Sequence, residues 1–364
     1  MTKGGIKRSI GVTALCLFIA GWAAANKAAS REKTAAEVYK NIQVFNDLPA
    51  SQLDGAMQFM SAALGVGCDH CHTNPWDSDA KASKLAARKM ILMTRSINKE
   101  NFSGNPAITC YTCHHGQSQT TPVPAFDPRA SQPEPDTRSA NAAKLPTADE
   151  VIDRYTRAIG GAAAIEKLKT QVSLGALTTT NRMTPPMTFS LEIYRQAPDK
   201  FLSVTTDPRV TSYKGFNGVT GWEKDNRGQH EAEGEDLNEL RRDADYFKYL
   251  KLRESYPSMR VLGKEKIEAR EVYVVGATSR DNTRERLYFD AATGLLVRRH
   301  VTFKTALGSI PEVTDFDDYK EVGGVKFPFT VIWSRPPFTA TQKFTDIKIN
   351  TPIDDAKFEK PVKQ

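Results

Sequence analysis

The chain has 364 residues, 40% hydrophobic and 26% charged, with a formal net charge of +7 and a mean hydropathy of −0.47. That length points to more than one domain, and the composition excludes both a multi-span membrane protein and a wholly disordered chain. Fifty basic against 43 acidic residues, with no dense basic run, argue against nucleic acid as a partner.

In chain order, Lys3, Lys7 and Arg8 precede an apolar stretch from Ile10 to Ala25, and Ala23 and Ala25 before Asn26 read as a small-x-small cleavage site. This pattern predicts a signal peptide over residues 1–25 and a periplasmic or other extracytoplasmic location. The competing expectation is an uncleaved membrane anchor, for which the run is short against the roughly 20 residues of a span. Cys16 lies inside the apolar run and leaves with the signal.

Residues 26–116 are predicted to form a helical domain. Leu53, Met57, Met60 and Leu64 are spaced to share one helix face, and Ala86, Met90, Met93 and Ile97 repeat the spacing. Ser51 and Asp79 are the predicted N-caps of these helices. Each helix is followed by a C-x-x-C-H motif, Cys68-Asp-His-Cys71-His72 and Cys110-Tyr-Thr-Cys113-His114. Two thiols about one turn apart match the two vinyl groups on one porphyrin edge, and the next histidine reaches the iron, so two covalent haem c groups are predicted. A four-cysteine zinc site, a redox dithiol or two structural disulfides would use the same cysteines but need no histidine after each pair. The 38 residues between Cys71 and Cys110 also exceed the usual zinc-knuckle spacing of roughly 15–20. One Met from each helix is the expected second axial ligand, a pairing that suits an electron carrier. His70 and His115 are expected to be exposed or to lie near a haem propionate, and Trp76 and Tyr111 to pack near the haems.

Residues 117–146 hold six prolines among small and polar residues, the composition of a linker. Residues 147–364 are predicted to be β-rich. Thr147 reads as the N-cap of a helix from Ala148 to Ile159, and a short helix covers Ala162 to Leu168. Strands are predicted at Val172–Thr179, Met187–Tyr194, Lys200–Thr205, Ser258–Leu262, Glu271–Ala277, Arg284–Phe289, Leu295–Phe303, Pro311–Tyr319, Val325–Ser334 and Thr339–Ile349, with one charged helix from Asp236 to Leu250. The fold class is therefore a multi-domain chain: an α-helical multihaem cytochrome c domain, then a mainly antiparallel β (α+β) domain with a curled sheet, which a resemblance to a known fold makes half-barrel-like. His230 and His300 have no partnering nucleophile or carboxylate in the sequence pattern.

Two resemblances add to this. The segments Met57-Gln-Phe-Met60, Leu64-Gly-Val-Gly-Cys-Asp-His-Cys-His72, Ala87-Arg-Lys-Met90-Ile-Leu-Met93-Thr-Arg-Ser-Ile-Asn98 and Thr109-Cys-Tyr-Thr-Cys-His114-His-Gly116 resemble the cytochrome c subunit of photosynthetic reaction centres. The resemblance implies that Met57 serves the haem on Cys68, Cys71 and His72, and Met90 the haem on Cys110, Cys113 and His114, with Met60 and Met93 as alternates. It also implies electron transfer with periplasmic or membrane-bound redox proteins. The family subunit usually carries four haems, and this chain has two attachment motifs. The phrases Gly218-Val-Thr-Gly-Trp222, Leu287-Tyr-Phe-Asp-Ala-Ala-Thr-Gly-Leu-Leu296 and Asp318-Tyr-Lys-Glu-Val-Gly-Gly-Val-Lys-Phe-Pro328 resemble the lipoprotein-sorting-like fold, a half-open barrel whose concave face holds lipid or acyl chains. No residue identifies a ligand, so the second half is expected to be a scaffold or interaction module, and a hydrophobic ligand, lipid or quinone, is the alternative that the resemblance implies. The expectation is a non-enzymatic carrier; the alternatives are a peroxidase-type haem enzyme with one open iron, or a lipid- or quinone-binding protein with a redox module.

Overall fold

The computed structural model describes residues 32–120, 145–181, 185–226 and 228–361. The expected signal segment with Cys16, and residues 121–144 of the expected linker, lie outside the described residues. From Glu32 onward the described chain forms one compact unit. Among the described residues, no helix is long and apolar enough to cross a membrane.

The first part is helical: α1 (Ala35–Val38), α2 (Gln52–Leu64), a 3-10 turn (Cys68–His70), α3 (Ala82–Asn101) and α4 (Cys110–His114). The two Met-bearing helices are α2 and α3. Ser51 stands at the N-cap of α2, but its hydroxyl donates to Glu32 Oε1 at 2.5 Å instead of capping. Asp79 is not the N-cap of α3, which begins after Lys81. Its carboxylate is taken instead by Arg88 (2.8 Å), Asn41 (2.8 Å) and Lys84 (3.4 Å), so tertiary cations outcompete the local cap. Along α3, Lys84, Arg88, Ile91, Arg95 and Asn98 recur at alternating steps of four and three. Arg88 and Arg95 donate to the Asn41 and Val44 carbonyls, and Ile91 packs into a small core with Ala35, Phe45, Leu48 and Ala56.

The second part is one antiparallel sheet: β1 (Thr170–Thr180), β2 (Met187–Gln196), β3 (Lys200–Thr206), β4 (Thr211–Phe216), β5 (Gly221–Asp225), β6 (Gly228–Glu231), β7 (Ser258–Ile267), β8 (Arg270–Thr278), β9 (Arg284–Asp290), β10 (Leu296–Thr305), β11 (Gly308–Val322), β12 (Val325–Arg335) and β13 (Phe338–Ile349). All ten predicted strands are present; β4, β5 and β6 are additions. The order is β6-β5-β4-β3-β2-β1-β13-β12-β11-β10-β9-β8-β7, two meanders joined where β1 pairs with β13. The chain must therefore cross from the β6 edge to the β7 edge, and α7 (Gly234–Ala244) and α8 (Leu252–Ser255) make that crossing.

Helix α5 (Ala148–Ala158) starts as expected. Glu150 N–H donates to Thr147 Oγ1 at 3.2 Å and Thr147 N–H donates back to Glu150 Oε2 at 2.7 Å, a reciprocal cap. The next helix, α6 (Ala162–Ile165), is shorter than predicted. The helix expected from Asp236 to Leu250 ends at Ala244, because Asp245 leaves helical geometry and the next amide, Tyr246 N–H, bonds the Pro198 carbonyl.

One sheet face is covered by helices. There α5 and α8 bury Val151, Ile152, Tyr155, Leu252 and Tyr256 against Val275, Leu287, Phe289, Leu296 and Phe316, while α7 covers Leu191, Ile193, Phe201 and Phe216. Strand alternation also brings four charged residues to this face. Arg299 pairs with Glu285 (2.6 Å) and Glu312 (2.8 Å), Arg335 pairs with Glu312 (2.6 Å), and Tyr256 donates to Glu285 (2.8 Å); all are buried. Burial raises the pKa of Glu285 and Glu312, but Arg299, Lys248 and Arg335 outweigh it and hold both below the usual carboxylate range.

The helical part docks on the same face. Phe59 and Ala63 of α2 are buried with Ile310, and Leu64, Cys110, Phe303 and Leu307 pack around them. Two glycines permit the approach. A Cβ on Gly55 would stand 3.2 Å from the Phe303 ring, and one on Gly308 (φ +152°) would run into the Phe59 ring.

Candidate functional site

The first cysteine pair lies on the 3-10 turn after α2. Its histidine is fixed from the main chain: His72 N–H bonds the Cys68 carbonyl (2.9 Å), and His72 Nδ1 lies 3.0 Å from the Trp76 carbonyl. The start of α3 braces the turn. Ser83 and Lys81 donate to the His70 and Asp69 carbonyls, and Lys84 Nζ donates to the carbonyls of Ser78 (2.8 Å) and Trp76 (3.1 Å). The Trp76 ring stands 5.1 Å from the His72 ring.

The second pair lies on α4. Thr109 and Thr112 cap that helix reciprocally. The buried Asn98 clamps the approach, donating to the Ile108 carbonyl (2.7 Å) and accepting from Ile108 N–H (2.9 Å). Gly116 N–H bonds the Ala63 carbonyl at 2.8 Å, tying the end of this motif to α2. His114 Nδ1 lies 3.0 Å from the Gln117 carbonyl.

The two motifs thus converge on one arrangement from different backbones. A carbonyl only accepts, so each Nδ1 carries the proton and each Nε2 keeps its lone pair for a metal. None of Cys68, Cys71, Cys110 and Cys113 forms a disulfide. Burial pushes the Cys68, Cys71 and Cys110 thiols up, so they rest as S–H, the form that adds across a vinyl group. No group of three or more His, Cys, Asp or Glu converges as a metal cage among the described residues. A pair of cysteines outside any disulfide, followed by an imidazole whose Nε2 is left for a metal, found twice, fits haem c: Cys68, Cys71 and His72 would hold one group, and Cys110, Cys113 and His114 the other.

The methionines differ between the helices. Met57 and Met60 are half-buried against the small α1–α2 core. Met90 and Met93 stand 43% and 46% exposed, on the side of α3 away from Ile91. His70 and His115 are exposed, as expected; the His115 ring lies 5.6 Å from Tyr111. His230 lies 3.9 Å from Glu223. His300 is lowered by burial and by Arg286 and Arg298, and projects from the sheet face opposite Phe303. Sequence reasoning missed the Trp76 and Gln117 carbonyls, which carry no side-chain signal. It also missed Lys84, and Asn98 was quoted in a motif without a role.

A family model described as the photosynthetic reaction centre cytochrome C subunit matches residues 20–151. Cytochrome c-554 of Chloroflexus aurantiacus is 40% identical over 83 residues, 21% of this chain and 20% of that protein. The photosynthetic reaction center cytochrome c subunit of Thermochromatium tepidum is 33% identical over 97 residues, 25% of this chain and 23% of that one. The chain thus spans about a quarter of the length of the curated relatives it matches. Among solved structures, a DUF1329 family protein from Desulfovibrio piger matches with 13% identity and a TM-score of 0.44, over 58% of this chain and 96% of that one. A LolA superfamily protein from Nitrosomonas europaea matches with 13% identity and a TM-score of 0.43, over 59% and 99%.

Proposed function

We propose that the protein is an exported dihaem c-type cytochrome that moves electrons between periplasmic or membrane-bound redox proteins. The observation that carries this reading is the pair of proximal histidines, each with Nδ1 held on a main-chain carbonyl and Nε2 left for iron. Cys68 and Cys71 anchor one haem and Cys110 and Cys113 the other, each S–H adding across a vinyl group. His72 and His114 are the proximal ligands. Met57 and Met90 are the distal ligands, with Met60 and Met93, one turn away on the same faces, as alternates. The haem iron supplies one-electron exchange. The chain orients the imidazoles and sets the charge around them.

In this reading residues 1–25 direct export, 26–116 form the dihaem domain, 117–146 link, and 147–364 form the β-rich module. We assign that module a scaffolding role. It buries Phe59 and Ala63 of α2 against Ile310, a cluster on which Cys110 also packs, and its helix-covered face carries buried Arg and Glu where a trough for lipid or quinone would be apolar.

A pyridine haemochrome assay with mass measurement, on protein matured in a periplasm, is expected to give two covalent haems per chain. Zero or one would overturn the reading. Met57→Ala and Met90→Ala are each expected to alter the ligation of one haem. An effect confined to Met60→Ala and Met93→Ala would move the ligand set by one turn. A high-spin oxidised haem in the unaltered protein would favour the peroxidase alternative.

A further inference from the structure

The two haem sites hold their histidines in the same way but differ in what else reaches the holding carbonyl. At the first, the Trp76 carbonyl accepts from His72 Nδ1–H at 3.0 Å and from the Lys84 ammonium at 3.1 Å. Lys84 is largely buried and pinned by a second bond to the Ser78 carbonyl. Its nearest carboxylate, Asp79, lies 3.4 Å away and is shared with Arg88 at 2.8 Å, so two cations face one anion. At the second site, His114 Nδ1–H has the Gln117 carbonyl, and no Lys or Arg donates to that carbonyl among the described residues.

From this asymmetry we propose that Lys84 is a positioning residue that sets the haem on Cys68 and Cys71 at a higher reduction potential than the haem on Cys110 and Cys113. The proposal rests on the dihaem reading above. A proximal imidazole gains anionic character as its Nδ1–H bond strengthens, and an anionic ligand stabilises ferric iron. A carbonyl already polarised by an ammonium is a weaker acceptor for the second donor. His72 therefore keeps its proton more fully than His114 and donates less to its iron. The ammonium itself works in the same direction, because the ferric state carries one more positive charge than the ferrous; Asp54 and Asp69, which act on Cys68, are the same in every Lys84 variant. Electrons would then rest on the first haem, and the direction of transfer between the haems is built into the chain.

The test uses the full chain carrying both haems. Spectroelectrochemical titration of the unaltered protein is expected to give two resolved steps. In Lys84→Met the higher step should shift down and the lower one stay. Lys84→Gln, which retains an N–H donor without the charge, should shift the same step partway, and Lys84→Arg should restore it. Exchange of the His72 Nδ1 proton, followed by NMR, should slow in Lys84→Met as its hydrogen bond strengthens. With two haems counted, a higher step that stays put, or two steps that move together, overturns the proposal. A haem count below two in the unaltered protein overturns the dihaem reading instead. If Lys84→Met alone fails to retain its haem, Lys84→Gln against Lys84→Arg carries the test, with the same two outcomes.

Discussion

The helical segment and the sheet meet the requirement for a core in different ways. The sheet needs no help: strands β8 to β13 and helices α5 and α8 bury a continuous run of large side chains, Phe289, Leu287, Leu296, Tyr155 and Tyr256 among them. The helical segment buries Ala35, Phe45, Leu48, Ala56 and Ile91, two of them alanines, and leaves Trp76, Leu85, Met90, Leu92, Met93 and Tyr111 exposed around its two motifs. A segment this small seldom holds itself together on side chains alone. In the dihaem reading proposed above, two porphyrins attached at these motifs would cover apolar surface that the side chains leave open. The contrast teaches that a half without recognisable chemistry is the self-sufficient one, and that the half with the chemistry leans on it through Phe59 and Ile310.

The contrast is most directly broken from the sheet's side. Arg299→Ala leaves Glu285 and Glu312 buried with one cation fewer, which is expected to cost about 3–5 kcal/mol of unfolding free energy. Denaturant titration would read it, and the haem spectra under native conditions should not change. A loss under about 1 kcal/mol, the range of a solvent-exposed pair, would mean that these charges are not desolvated as a unit. A smaller effect is expected from the other side. In a chain with Cys68, Cys71, Cys110 and Cys113 all changed to Ala, amide hydrogen exchange in α3 and both motif loops should quicken by about tenfold or more, ~1.4 kcal/mol of local stability, while β8 to β12 keep their protection. Equal protection in both regions would show that the helical segment stands without its cofactor.

What the sequence made legible divides along the same line. The two C-x-x-C-H motifs stand out because their spacing is local, and α2 and α3 could be read because Met57, Met60, Met90 and Met93 mark a helical face. Ten strands could be read from alternation. Strands β4 to β6 could not: Thr211-Ser-Tyr-Lys-Gly-Phe216 and Gly228-Gln-His-Glu231 are short and polar, as strands toward a sheet edge often are. The charges of Glu285, Arg299, Glu312 and Arg335 lie on four separate strands, and only cross-strand register brings them together. Asp79 shows the limit most plainly. An Asp just ahead of a helix is a sound local reading of an N-cap, and it gave way to cations that the sequence places five and nine positions further on.

That same carboxylate gives the smallest effect and a defined sign. The Arg88 guanidinium, with Lys84 and Asn41 and against partial burial, holds Asp79 at about 2, below its ordinary 3.8. A group depressed on folding stabilises the folded state above its ordinary value and loses that contribution as the pH falls through the folded one. The stability difference between the unaltered chain and Asp79→Asn should therefore be flat above about pH 4 and shrink toward about pH 2. Taking the difference cancels the acid response of Glu285 and Glu312, which titrate in the same direction in both proteins. Because Asp79 is partly exposed, added salt should also shrink the difference. A difference that widened on acidification would mean that Asp79 is the burdened partner of this cluster, and the brace around His72 would then have to stand on Lys84 and its two carbonyls alone.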